Sequence, residues 1–157
     1  MDTVMKPLRI DKTYDLGVAP QTGARGQPNR RVLIVEDNDF VAHQCESALT
    51  EAGYEVVDIV TTADAAVKVA VERRPALILM DIYLRGQRDG IDAALEIFER
   101  CGIRSIFASA LADESGKARA DAAQPLAWLA KPFSDQKLVK TIEAAIGDID
   151  AILPVRD

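Results

Sequence analysis

Ala76-Leu77-Ile78-Leu79-Met80-Asp81 is five apolar residues in a row ending on an acid. With no polar residue interleaved, the run suits a strand covered on both faces, as in a parallel sheet, rather than one with a wet side. That strand ends at Asp81.

The same grammar repeats on either side. Upstream, Ala63, Ala66, Val67, Ala70 and Val71 make a helical stripe, with Pro75 just beyond its end. Before that lies a strand, Val56-Val57 with Ile59-Val60. Val41, Cys45, Ala48 and Ala52 fall at i, i+4, i+7 and i+11, one predicted helix face, and Gly53 stops that helix. Val32-Leu33-Ile34-Val35 is a further continuous apolar run. Downstream, Ile91, Ala94, Leu95 and Phe98 share a helix side closed by Gly102, and Ile103 to Ala108 predicts a strand. Residues 113–123 are Ala-rich and read as a weak helix, since Gly116 interrupts them at a cost of ~1 kcal/mol relative to Ala. Leu126 to Leu129 gives a short strand, and Ser134 caps a last helix bearing Leu138, Ile142, Ala145 and Ile146. Five strand–helix units joined by short links imply an α/β fold with a doubly wound, five-stranded parallel sheet and flanking helices.

This organisation predicts three parts. Residues 1–29 lack a sustained period and finish in a Gly/Pro/Gln/Asn-rich stretch, Pro20 to Asn29, read as a flexible leader. A short docking segment around Val4, Met5, Leu8 and Ile10 is the other reading. The domain spans 30–148, and 149–157 is a short tail. At 157 residues, 48% hydrophobic and 28% charged, the chain suits one soluble domain with appended sequence. No apolar run approaches the ~20 residues of a bilayer span, and residues 1–30 lack a secretory signal, so a cytoplasmic location is expected.

Charge and cysteine usage narrow the classes. Residues 1–30 carry five Lys/Arg against three Asp, while the rest carries 14 positive and 22 negative side chains within a total of −6. An acidic body argues against broad contact with nucleic acid. Cys45 and Cys101 form no C-x-x-C pair and read as plain thiols. His43, the single histidine, has no companions for a His-rich metal site or a Ser–His triad and reads as an ordinary helix residue.

A doubly wound sheet places its chemistry in the crevice at the carboxyl ends of its strands. Those ends carry Glu36-Asp37, Asp81, Ser109-Ala110 and Lys131-Pro132. Carboxylates ~5 Å apart repel by roughly 3 kcal/mol per pair at an effective dielectric near ~20. Lys131 supplies one positive charge, so the cluster calls for a cation. Hard oxygen ligands on an open, hydrated site favour Mg²⁺. Taken singly, each residue has a bland account: an acid at a strand end often caps the next helix, as Asn38 or Asp39 could here. Together they are hard to dismiss.

Glu36-Asp37, the Leu-Ile-Leu-Met-Asp81 strand end, Asp89-Gly90, Ser109-Ala110 and Lys131-Pro132-Phe133 resemble the response-regulator receiver domain, over about Arg31 to Gly147. The single-domain chemotaxis regulators are its simplest members. The resemblance implies the flavodoxin-like strand order 2-1-3-4-5 and a part in a bacterial two-component or phosphorelay system. Asp81 would be the phosphoryl acceptor. Asp37, Asp81 and the main-chain carbonyl of Tyr83 would ligate Mg²⁺, with Glu36 helping through a water. Lys131 would contact the phosphoryl oxygens, Ser109 would donate a hydrogen bond to one of them, and small Ala110 would leave room for the group. The Lys131-Pro132 peptide would be cis.

Departures from the commonest family pattern are Glu-Asp for Asp-Asp, Ser109 for Thr, and Trp128 at the switch position usually held by Tyr or Phe. Trp128 has two readings, a rotating switch or a static aromatic. The family's path for attacking water is flanked here by Tyr83 and Leu111, which offer no carboxylate or amide, implying slow loss of the phosphoryl group. With ten residues after Gly147, the expectation is a stand-alone regulator rather than an enzyme. It would take its phosphoryl group from a sensor histidine kinase or histidine phosphotransfer protein and bind a downstream protein, with a phosphorylation-dependent homodimer left open. An alternative is a receiver-fold interaction module that works without phosphorylation. A haloacid-dehalogenase-type phosphatase would need an acid where Tyr83 stands, and a nucleotide-binding module a Gly-rich loop where Glu36-Asp37-Asn38-Asp39 stands.

Overall fold

The computed structural model describes residues 30–110 and 114–152. Its elements alternate strictly: β1 Arg31–Val35, α1 Asp39–Glu51, β2 Glu55–Val60, α2 Ala63–Arg73, β3 Leu77–Asp81, α3 Gly90–Cys101, β4 Ser105–Ser109, α4 Glu114–Ala120, β5 Ala127–Ala130 and α5 Asp135–Ile152. The five strands form one parallel sheet in the order β2-β1-β3-β4-β5. The order in which strands are added reverses at β1, and the crevice between β1 and β3 is the switch point where such sheets bind ligands.

The continuous apolar strands are covered on both sides, as their lack of alternation demands. One layer sets Leu33, Ile78, Met80 and Phe107 against Ala66, Val67, Ile91 and Ile97 of α2 and α3. The other sets Val32, Ile34, Leu79 and Ile106 against Cys45, Leu49, Leu138 and Ile142 of α1 and α5. Both cysteines are free thiols.

Two helical faces differ from the sequence reading. In α1 the buried residues are Ala42, Cys45, Ala48 and Leu49, with Val41 and Ala52 only partly buried. In α3 the centre is Ile97, flanked by Ile91, Ala93 and Ala94, while Leu95 and Phe98 pack at the margin. A helix lying on a sheet buries a stripe wider than one line of residues, so a single spaced set misplaces its centre. Residues 149–152, assigned to the tail, are the last turn of α5. Ile149 extends the Leu138-Ile142-Ala145-Ile146 stripe and packs on the same layer. The leader residues 1–29 and Leu111 lie outside the described residues.

Local signals position the loops at the sheet's carboxyl edge. Asn38 caps α1, its Oδ1 accepting from the Val41 amide at 3.1 Å. Ser134 caps α5, its Oγ accepting from the Lys137 amide at 3.0 Å. Asp89 and Asp92 form a capping box at the start of α3. The Lys131-Pro132 peptide is cis. Among the described residues no helix is long and apolar enough to cross a membrane.

Candidate functional site

Strand ends and the loops that follow them bring the predicted residues to one edge. Asp81 is the last residue of β3 and Glu36 follows β1; they are 6% and 5% exposed. Asp37 sits beside them and is half-buried. One carboxylate oxygen from each of Glu36, Asp37 and Asp81 lies within 4.8 Å of the others. Lys131, next after β5, donates from Nζ to Glu36 Oε1 at 2.6 Å and stands 3.5 Å from Asp81 Oδ1. Ser109 is buried at the end of β4, and its carbonyl accepts from the Lys131 amide at 2.9 Å.

The electrostatics follow from that crowding. Burial first, then the nearby Glu36 charge, pushes the Asp81 carboxyl up to about 6, against the pull of Lys131. Burial works against the Lys131 charge. The Glu36 hydrogen bond and the charges of Asp81 and Glu36 outweigh it, so its pKa is raised. Lys131 stays an ammonium and covers two carboxylates with one charge.

A cation fits what remains. The donors are all hard oxygens, and the amine leaves Asp37 uncovered. Asp37 instead meets a second cation, Arg85, whose Nε is 3.5 Å from Asp37 Oδ2. The Tyr83 amide makes a long 3.4 Å hydrogen bond to Asp81 Oδ1, while the Tyr83 residue as a whole is 49% exposed.

Gly90 holds the floor of the site. A Cβ built there would lie 1.9 Å from the Asp81 carbonyl oxygen, so only glycine lets α3 begin against the backbone at the end of β3. Its amide donates to the Ile82 carbonyl at 2.8 Å.

Trp128 lies on β5 and stacks on Phe107 of β4, ring centroids 4.8 Å apart, with Lys117 Nζ of α4 5.5 Å from its ring centre. A cleft of about 100 Å³ beside it is lined by Tyr83, Asp89, Ser115 and Arg119 among others. Arg119 of α4 bridges that cleft. Its two terminal nitrogens each donate at 3.0 Å to one oxygen of Asp89, and Nη2 also reaches Asp92 Oδ1 at 3.0 Å.

The structure thus gathers Glu36, Asp37, Asp81 and Lys131, with Ser109 on the neighbouring strand end and Tyr83 on the loop after Asp81. Trp128 stands apart, toward α4. Sequence reasoning missed Arg85, the Arg119 bridge and the reason for Gly90. Arg85-Gly86 just past an acid-ended strand was a usable signal for the first. The other two depend on contacts that no spacing encodes.

A family model described as the response regulator receiver domain matches residues 32–143. The chain belongs to that family. It is 36% identical over 127 residues to the transcriptional regulatory protein PdtaR of Mycobacterium tuberculosis, covering 81% of this chain and 62% of that relative. It is 32% identical over 114 residues to the chemotaxis protein CheY of Thermotoga maritima, covering 72% of this chain and 94% of that relative. The crystal structure of the receiver domain of a modulated diguanylate cyclase from Desulfovibrio desulfuricans G20 superposes with a TM-score of 0.72 at 33% identity, covering 77% of this chain and 96% of that one. The receiver fold, with its strand order 2-1-3-4-5, and homology to two-component regulators are therefore properties of this chain. The chain spans less than two thirds of PdtaR, so what the whole of that relative does is not carried over.

Proposed function

We propose that this receiver domain accepts a phosphoryl group on Asp81 from the phosphohistidine of a sensor kinase or phosphotransfer protein, with Mg²⁺ held by Asp37, Asp81 and the Tyr83 carbonyl and supported by Glu36. The observation that carries the reading is the meeting of three carboxylates and the Lys131 ammonium at the switch point of the sheet.

An Asp81 carboxylate oxygen attacks phosphorus as the bond from phosphorus to the donor nitrogen breaks. The leaving imidazole keeps the electron pair and takes a proton from solvent. A carboxylate needs little activation for this; the obstacle is bringing an anionic donor to an anionic pocket. Bound Mg²⁺ would supply the charge that offsets this repulsion and help orient the phosphoryl oxygens for in-line displacement. Lys131 steadies a phosphoryl oxygen, and Ser109 donates a hydrogen bond to another. The exposed aromatics Phe40 and Tyr83, on α1 and the loop after β3, offer apolar anchors to a docking donor protein. The output is a changed protein-binding surface on the α4–β5–α5 side, read by a downstream protein.

Incubation with acetyl phosphate and Mg²⁺ should add one phosphoryl group, followed by intact-protein mass spectrometry. A chelator should prevent the addition, Asp81→Asn should abolish it, and Asp37→Ala should reduce it strongly. Undiminished labelling of Asp81→Asn would place the acceptor elsewhere.

A further inference from the structure

Arg85 has no assigned part in the chemistry above, yet its position is specific. The loop leaving β3 turns back at Gly86, whose φ of +103° is a conformation that side-chain-bearing residues rarely adopt. That turn presents Arg85 to the mouth of the acidic pocket. There its guanidinium pairs with Asp37, the one carboxylate of the three that Lys131 does not reach. The Arg85 side chain is 82% exposed, against 18% for Asp37. The cation is therefore tethered from outside, held by the carboxylate and little else.

We propose that Arg85 is a stand-in cation that covers Asp37 in the metal-free protein, yields it to Mg²⁺, and then turns to the incoming anionic donor. This rests on the reading of Asp37 as a metal ligand. The charges favour the sequence. Three carboxylates with Lys131 alone carry a formal charge of −2, and Arg85 brings the pocket to −1. A divalent cation in its place brings the four side chains to zero. A guanidinium still on Asp37 would then repel the metal it faces, so the two cations exclude each other. Once the metal is bound, the nearest unmet negative charge at the mouth is the donor's phosphoryl group. Guanidinium is suited to binding that group through paired hydrogen bonds.

The consequence is a pair of opposite effects from one substitution. Arg85→Gln should bind Mg²⁺ about two- to fivefold more tightly in calorimetric titration with Mg²⁺ alone, the range expected for losing a competing exposed ion pair. At saturating Mg²⁺ the same variant should be labelled by acetyl phosphate more slowly than wild type. Arg85→Lys should fall between the two. Arg88→Gln removes the same charge from the same loop, but Arg88 pairs with Asp64 and Glu96, away from the pocket. Its metal affinity should stay near that of wild type.

Unchanged or weaker Mg²⁺ binding by Arg85→Gln overturns the stand-in role, and an equal gain in Arg88→Gln overturns its specificity. Unslowed labelling at saturating metal overturns the role toward the donor. If wild type itself binds no Mg²⁺ and takes no label, the acceptor reading falls and this inference with it. Wild-type binding without the Arg85 effects rejects the inference alone.

Discussion

Asp81 answers to two demands, burial and charge. An unfolded Asp titrates near ~3.9, whereas the folded site, desolvated and facing Glu36, holds its proton up to about 6. The folded state thus binds the proton more tightly. The stability this confers is fully present below the unfolded value and is lost as pH rises through about 6. Metal-free Asp81→Asn should therefore be more stable than wild type at pH 7.5, by on the order of 2–3 kcal/mol, with the difference nearly gone at pH 4. Urea titrations at the two pH values measure it, and a difference that does not shrink on acidification would contradict the assignment. Gly90 makes the complementary case, set by shape instead of charge. Its missing side chain is required by a backbone atom, the Asp81 carbonyl oxygen, which cannot rotate away. Gly90→Ala should cost about 1–3 kcal/mol or more and slow labelling of Asp81 as well, because the clash moves the acceptor strand. Unchanged stability in denaturant would refute that contact. The acids and Lys131 were legible in the sequence because they stand directly after apolar runs. Asp89-Gly90 stood out only as part of the family resemblance; the physical need for glycine comes from a contact across the loop that the sequence does not show.

Among the elements, α4 is the one whose hold on the rest is smallest. It has seven residues, includes Gly116, and buries only Ala120. Its tie to α3 is the Arg119 fork on Asp89 and Asp92. For Asp89, burial alone would raise the carboxyl, but the Arg119 hydrogen bonds and charge, with the capping contacts, bring it below the usual range. Trp128 lies beneath this helix, stacked on Phe107 and faced by Lys117. If the phosphoryl group shifts α4 through Ser109, the environment of Trp128 changes, and it is the single tryptophan. Saturating beryllofluoride with Mg²⁺ should then alter its fluorescence, and Ser109→Ala should weaken the change. An unmoved spectrum would favour the static reading of Trp128. The sequence signalled α4 as the weak helix, through the glycine that disrupts it. It misjudged the faces of α1 and α3, because the burial of Leu49 and Ile97 depends on how each helix is rolled on the sheet.

At the scale of the whole molecule, periodicity supplied the architecture but not the arrangement. Apolar runs alternating with helical stripes specify a parallel sheet, yet they leave open which strand lies beside which. The order came with the family resemblance, carried by the residues at the strand ends. The tail boundary followed the end of the family resemblance near Gly147, whereas α5 runs on to Ile152, with Ile149 continuing its apolar stripe and Asp148 and Asp150 on its exposed side. The bond between Lys131 and Glu36 links residues 95 apart in the chain, and no strand pairing brings its two ends together early. On a ribosome, synthesis runs from the acids toward the amine. Glu36, Asp37 and Asp81 all emerge before Lys131, so the nascent sheet carries its mutual repulsion until the fifth strand follows. A folding chain can meanwhile keep these acids apart in water, or gather them around Arg85 or a cation from the surrounding solution. The residue that makes the acidic edge tolerable thus leaves the ribosome late, followed only by α5 among the domain's elements, and a chain released before it would hold the charge without its remedy.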